Sequence, residues 1–242
     1  MIVDVIIETK GLTKKVKGKP LVDDINVSIV RGEICGLIGP NGAGKTTIMK
    51  LLTGLLVPTS GKVKLNKFDV NKQRKEAMVS VGAIIESPIF FEFMTGRGML
   101  QNLARLHGLN KQERQEKVVE VLSTVGLNGR GDEKISTYSL GMKQRLGIAQ
   151  ALLGDPEIII LDEPANGLDP MGMKELRELI LYLNKEKNLT FLISSHLLDE
   201  LQKICTTLII IKQGNVLFYG KQDEIYDKSL TNLEDIFIGM MS

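Results

Sequence analysis

Gly39-Pro40-Asn41-Gly42-Ala43-Gly44-Lys45-Thr46-Thr47 fits the spacing G-x-x-x-x-G-K-[ST] of a phosphate-binding loop. Its surroundings have the matching order. The apolar run Ile34-Cys35-Gly36-Leu37-Ile38 precedes it as a buried strand, and Ile48, Met49, Leu51 and Leu52 follow at helical spacing. Glycines open backbone conformations closed to other residues and bring several N–H groups close to a polyphosphate. The N-terminus of the next helix adds positive partial charge at the same place. Lys45 is then expected to reach the β- and γ-phosphates and the Thr46 hydroxyl to ligate Mg²⁺, with residues 39–47 binding a nucleotide triphosphate. The loop alone does not say what the nucleotide's energy is for.

Outward from the loop, 242 residues suffice for one large α/β domain or two small ones. Hydrophobic residues at 43% and charged residues at 25% suit an ordinary soluble globular chain. A formal net charge of +2 is too small to argue for nucleic-acid or anionic-membrane binding by bulk electrostatics. No stretch approaches the roughly 18–20 uninterrupted apolar residues that span a bilayer. The apolar N-terminus is broken by Asp4 and Glu8 and lacks a basic leader, so it reads as a strand rather than a signal peptide. Cys35 and Cys205 sit in or beside apolar runs and are expected to be buried free thiols in a cytosolic protein.

In chain order, Val3–Thr9 and Leu21–Val30 read as strands, with Lys14, Lys15, Lys17 and Lys19 between them as a solvated hairpin face. After the loop, a turn at Pro58-Thr59-Ser60-Gly61 leads to strands over Lys62–Leu65 and Val81–Ile85. From there to about Leu153 the character is helical, with Leu100, Leu103 and Leu106, then Val118, Leu122 and Val125, at helical spacing. Strands return at Ile158–Leu161, Thr190–Ser194 and Leu208–Ile211, and Asp169-Pro170 opens a helix whose core face is Leu176, Leu179, Ile180 and Leu183. The alternation predicts an α/β fold with a mainly parallel central sheet, an N-terminal antiparallel β part and an inserted helical subdomain. One domain over 1–242 is expected, with a core of 1–86 and 154–242 and the helical subdomain at about 87–153.

A second motif carries chemistry. Asp162 ends the buried run Ile158-Ile159-Ile160-Leu161, where open α/β sheets bind ligands, and can hold Mg²⁺ through its water shell. Glu163, the next residue, points differently and can take a proton from an attacking water.

With both motifs in view the chain resembles the nucleotide-binding subunit of an ATP-binding cassette (ABC) transporter. The Walker A loop is Gly39–Thr46 and the Walker B strand with its glutamate is Ile158–Glu163. Tyr138-Ser139-Leu140-Gly141-Met142 stands where the family's L-S-G-G-Q signature falls, Asn166-Gly167-Leu168-Asp169 matches the D-loop, and His196 matches the switch histidine. The resemblance implies a P-loop NTPase of ABC type working with ATP and Mg²⁺. Two copies would pack head to tail, with ATP between Lys45 of one and Ser139 and Gly141 of the other. Glu163 would polarise the water and His196 would keep it in line. Separate integral membrane permease subunits would hold the ATPase at the inner face of the cell membrane, and no nucleic acid would take part.

Three departures make this chain particular. Glu86 replaces the family's usual Gln at a Mg²⁺-facing position, as in the ATPases of lantibiotic-immunity exporters, and Glu86→Gln is expected to alter the ATPase rate or its coupling. The signature carries Leu140 and Met142, wording similar to bacitracin-resistance ATPases, while Ser139 and Gly141 survive. Val16 aligns with the adenine-stacking aromatic. Phe90, Phe91 and Phe93 suit either a permease-facing surface or the core of the helical part. The sub-family resemblance implies export of peptide antibiotics of the lantibiotic or bacitracin type. The alternatives are an ABC exporter of another substrate or a non-transport ABC ATPase. Repair members carry a long coiled-coil insertion and translation members usually carry two cassettes, and neither is seen here. A non-hydrolysing regulator would lack Lys45 or Glu163.

Overall fold

The computed structural model describes residues 4–86, 88–196, 198–225 and 239–240. Residues 1–3, 87, 197, 226–238, 241 and 242 lie outside them, and with them the start of the expected strand at Val3 and parts of the expected core and helical subdomain. In order come β1 (Val5–Val16), β2 (Lys19–Val30), β3 (Ile34–Ile38), α1 (Lys45–Leu52), β4 (Ser60–Leu65), β5 (Phe68–Asp69), α2 (Arg74–Val79) and β6 (Val81–Ile84). Then follow α3 (Gly96–Ala104), α4 (Lys111–Thr124), α5 (Leu140–Ala151), β7 (Ile158–Asp162), α6 (Pro170–Lys187), β8 (Thr190–Ser195), α7 (Leu198–Gln202), β9 (Thr207–Lys212) and β10 (Asn215–Lys221).

The order β10-β9-β3-β8-β7-β6 forms one sheet, parallel except for β10, and β2-β1-β4-β5 forms an antiparallel one. This is the α/β arrangement expected. β3, β7 and β8 are buried along their whole length, which is why they read as unbroken apolar runs. Their register pairs Ile38 with Ser195 and Asp162 with Ser194, so the loops after all three emerge at one edge of the sheet. That edge is where a doubly wound sheet presents its ligand site.

Several local readings needed correction. The first strand does not end at Thr9 but runs to Val16, because Gly11, at φ 60°, absorbs an irregularity in the pairing and lets the strand continue. The hairpin closes on Lys17-Gly18, both with positive φ, the tight two-residue turn that suits strand twist. β5 and α2 were missed: two residues of strand, and a short helix with Ala77 as its buried contact, leave no periodic signal. Leu106 is 82% exposed, since α3 stops at Ala104 and Gly108, at φ 74°, ends the following turn before that side chain can face inward.

The central sheet divides two apolar cores. On one face Ile159, Leu161, Phe191 and Ile193 pack with Leu100, Val118, Leu122 and Leu146 of α3–α5 and Ile180 of α6. On the other, Ile158, Ile160 and Leu192 pack with Ile48, Met49 and Leu52 of α1 and with the antiparallel sheet. Side chains of alternate residues along a strand thus serve different cores. Cys35 and Cys205 are free, buried and in different cores, and burial pushes both thiols well above their ordinary range. Among the described residues no helix is long and apolar enough to cross a membrane.

Candidate functional site

Between β3 and α1 the loop of residues 39–47 walls a cavity of about 320 Å³, lined by Leu21, Pro40, Asn41, Gly42, Gly44, Lys45, Thr46, Thr47 and Glu163. Gly44 sits at φ 109°, and a Cβ there would lie 2.8 Å from the Leu21 carbonyl oxygen. Only a glycine lets the loop pass so close. Helix α1 has no side-chain N-cap and no acid in its first turn, so its N-terminal N–H groups have no anionic partner from their own helix. A cradle of backbone donors with a lysine beside it fits a polyphosphate.

Lys45, 6% exposed, donates from Nζ to the Gly39 carbonyl at 2.7 Å and lies 3.2 Å from Glu163 Oε1. Glu163 Oε2 is 2.7 Å from His196 Nδ1 and accepts the His196 backbone N–H at 3.3 Å. Glu163 has φ 49°, a conformation rare outside glycine, which turns its carboxylate toward the loop rather than along the strand. Asp162 stays with the strand. Its Oδ2 accepts from Thr46 Oγ1 at 2.7 Å and its Oδ1 from Ser194 Oγ at 2.5 Å. One carboxylate and one hydroxyl form the hard-oxygen donor set with which Mg²⁺ is usually held, the remaining positions going to water and substrate phosphate. The residues therefore fit the ion. Glu86, two residues past β6 and with φ 66°, pairs with Lys50 Nζ at 2.7 Å and is not in the lining of the loop cavity.

The remaining expected residues lie elsewhere. Ser139 caps α5, its Oγ accepting the Met142 N–H at 3.2 Å, and with Gly141, Gly167, Leu168 and Asp169 it lines a separate cavity of about 430 Å³. The two cavities share no lining residue. Val16, 46% exposed at the tip of the first hairpin, is not in the loop cavity's lining. Leu21 is. Sequence reasoning also missed Ser194, whose Oγ donates to Asp162 while accepting the Glu163 N–H at 2.9 Å. One hydroxyl thus fixes both acids. Ser194→Ala is expected to lower stability by about 1–3 kcal/mol, because a buried carboxylate oxygen and an N–H lose their partner together. Denaturant unfolding measures this, and an unchanged midpoint would show that the hydroxyl is dispensable.

A family model described as ABC transporter matches residues 22–166, more than half of the chain. The chain belongs to the ABC transporter family. It is 44% identical over 212 residues to the bacitracin transport ATP-binding protein BcrA of Bacillus licheniformis, covering 88% of this chain and 68% of that protein. It is 35% identical over 232 residues to the lantibiotic transport ATP-binding protein SrtF of Streptococcus pyogenes, covering 96% of each. Among solved structures, an ATP-binding subunit of an ABC transporter superposes with a TM-score of 0.86 at 28% identity, covering 98% of this chain and all of that one. ABC transporter ATP-binding subunits are ATPases coupled to transport, and this ABC chain is one of them.

Proposed function

We propose that this ABC ATPase drives the export of peptide antibiotics of the bacitracin or lantibiotic type. The observation that carries this reading is the likeness to relatives named for those two transports, one of them matched over 96% of both chains. In the proposed cycle the loop and Lys45 bind the phosphates of ATP, and Thr46 and Asp162 hold Mg²⁺. The ion supplies neutralising charge at the phosphates. Glu163 accepts the proton of the attacking water, and His196 holds the Glu163 carboxylate in place. Ser139 and Gly141 line a different cavity from Lys45, which favours their meeting the phosphate of a second copy packed head to tail.

A membrane permease would dock on the segment after Glu86. Ile89, Phe91 and Phe93 are 92%, 60% and 75% exposed, whereas Phe90 packs against the core of the helical part. The aromatic cluster thus divides between the two roles open to it. Attached there, the ATPase would sit at the inner face of the cell membrane.

The test is to express the chain together with its membrane permease in an antibiotic-sensitive host. Resistance to bacitracin or a lantibiotic is expected to rise with the wild type and not with Glu163→Gln. Unchanged sensitivity with the wild type would overturn the peptide-antibiotic reading and leave the family assignment standing.

A further inference from the structure

We infer that Lys50 is a positioning residue whose charge holds Glu86 away from the metal and phosphates of the site. The inference rests on the nucleotide-and-metal reading above. The register that pairs Ile84 of β6 with Leu161 of β7 carries Glu86 to the level of Glu163 on the neighbouring strand end. Both residues have left-handed φ, 66° and 49°. The two residues therefore leave the sheet at the same level, Glu163 directly after Asp162, the last residue of β7.

Each of these acids has its own partner. Glu163 is 3.2 Å from Lys45, Asp162 is held by the hydroxyls of Thr46 and Ser194, and Glu86 Oε1 is 2.7 Å from Lys50 Nζ. Lys45 and Lys50 belong to one helix, α1, the first at its start and the second in its last turn. The Lys50–Glu86 pair is solvent-facing, with side chains 32% and 65% exposed, where an ion pair contributes little to folding. Its effect lies in where the Glu86 charge is held. Beside Lys50, Glu86 meets the bound triphosphate as half of a neutral pair. Without Lys50 the carboxylate repels ATP, yet is free to offer a hard oxygen to a divalent cation.

The experiment compares the whole chain as wild type, Lys50→Met, Glu86→Gln and the double variant, with Lys45→Ala as control. ATP binding is titrated with a fluorescent ATP analogue in the absence of divalent cations, and Mn²⁺ binding to the ATP complex is followed by electron paramagnetic resonance. Lys50→Met is expected to weaken ATP binding about fivefold, the order set by one unit charge in a solvent-facing cleft, and to tighten Mn²⁺ binding. With Glu86→Gln already present, both effects of Lys50→Met are expected to shrink to less than about twofold. Equal effects with and without Glu86→Gln, or none in the wild type, would overturn the inference while Lys45→Ala still abolishes binding. Normal ATP binding by Lys45→Ala would overturn the site reading and this inference with it.

Discussion

Glu163→Gln is expected to lower ATP turnover by about two to four orders of magnitude while leaving ATP affinity within about threefold. The amide keeps the shape of the carboxylate and can still accept the hydrogen bonds that His196 now gives at Oε2. It cannot take a proton from water. The substitution also removes the negative partner 3.2 Å from Lys45, leaving that ammonium freer for phosphate, so binding has no reason to weaken. Phosphate release set against nucleotide binding separates the two effects. Equal turnover in variant and wild type would remove Glu163 from the chemistry. A parallel loss of affinity and thermal stability would make it a structural residue instead.

Gly82→Val is expected to destabilise the fold by about 3 kcal/mol, lowering the melting temperature by roughly 6–12 °C for a chain of this size. Gly82 lies on β6 opposite Ile159, and a Cβ there would stand 2.3 Å from the Ala151 carbonyl oxygen and 2.9 Å from Ile159 Cδ1. Ala151 ends α5, the helix that Ser139 begins. The bare backbone at Gly82 is what lets that helix come to rest on the sheet. Valine must push the helix off or shift the strand, and both belong to packed cores with little room to yield. Thermal melting measures the loss. An unchanged transition would mean that α5 does not bear on β6 at this point.

The parts of the site that are contiguous in sequence were legible in it. A loop of nine residues, a strand ending in two acids and a helix opened by Ser139 each carry their geometry in a local pattern of glycine, apolar residues and capping side chains. What joins those pieces was hidden, because it depends on residues far apart in the chain. Ser194 looks like an ordinary small residue ending a strand until the register with β7 sets it beside Asp162, 32 residues away. Lys50 reads as one more polar residue on a helix until Glu86, 36 residues on, is found against it. Leu21 reaches the loop cavity from a strand of the other sheet, a placement no periodicity foretells. The fold class followed from buried runs long enough to read as strands. β5 and α2, too short to show a period, did not.

The left-handed backbone that Glu86 and Glu163 share costs stability, and at Glu163, the proposed proton acceptor, that cost is set against activity. Glycine at either position would relax the chain, since it reaches positive φ without the clash of a Cβ. Asparagine, which tolerates this region better than most residues, would ease it as well. Selection for heat resistance alone would therefore drift toward replacing these acids, and at Glu163, the proposed proton acceptor, it would trade turnover for a sturdier protein. Libraries screened for thermostability should be counter-screened for turnover at these two positions before any variant is kept.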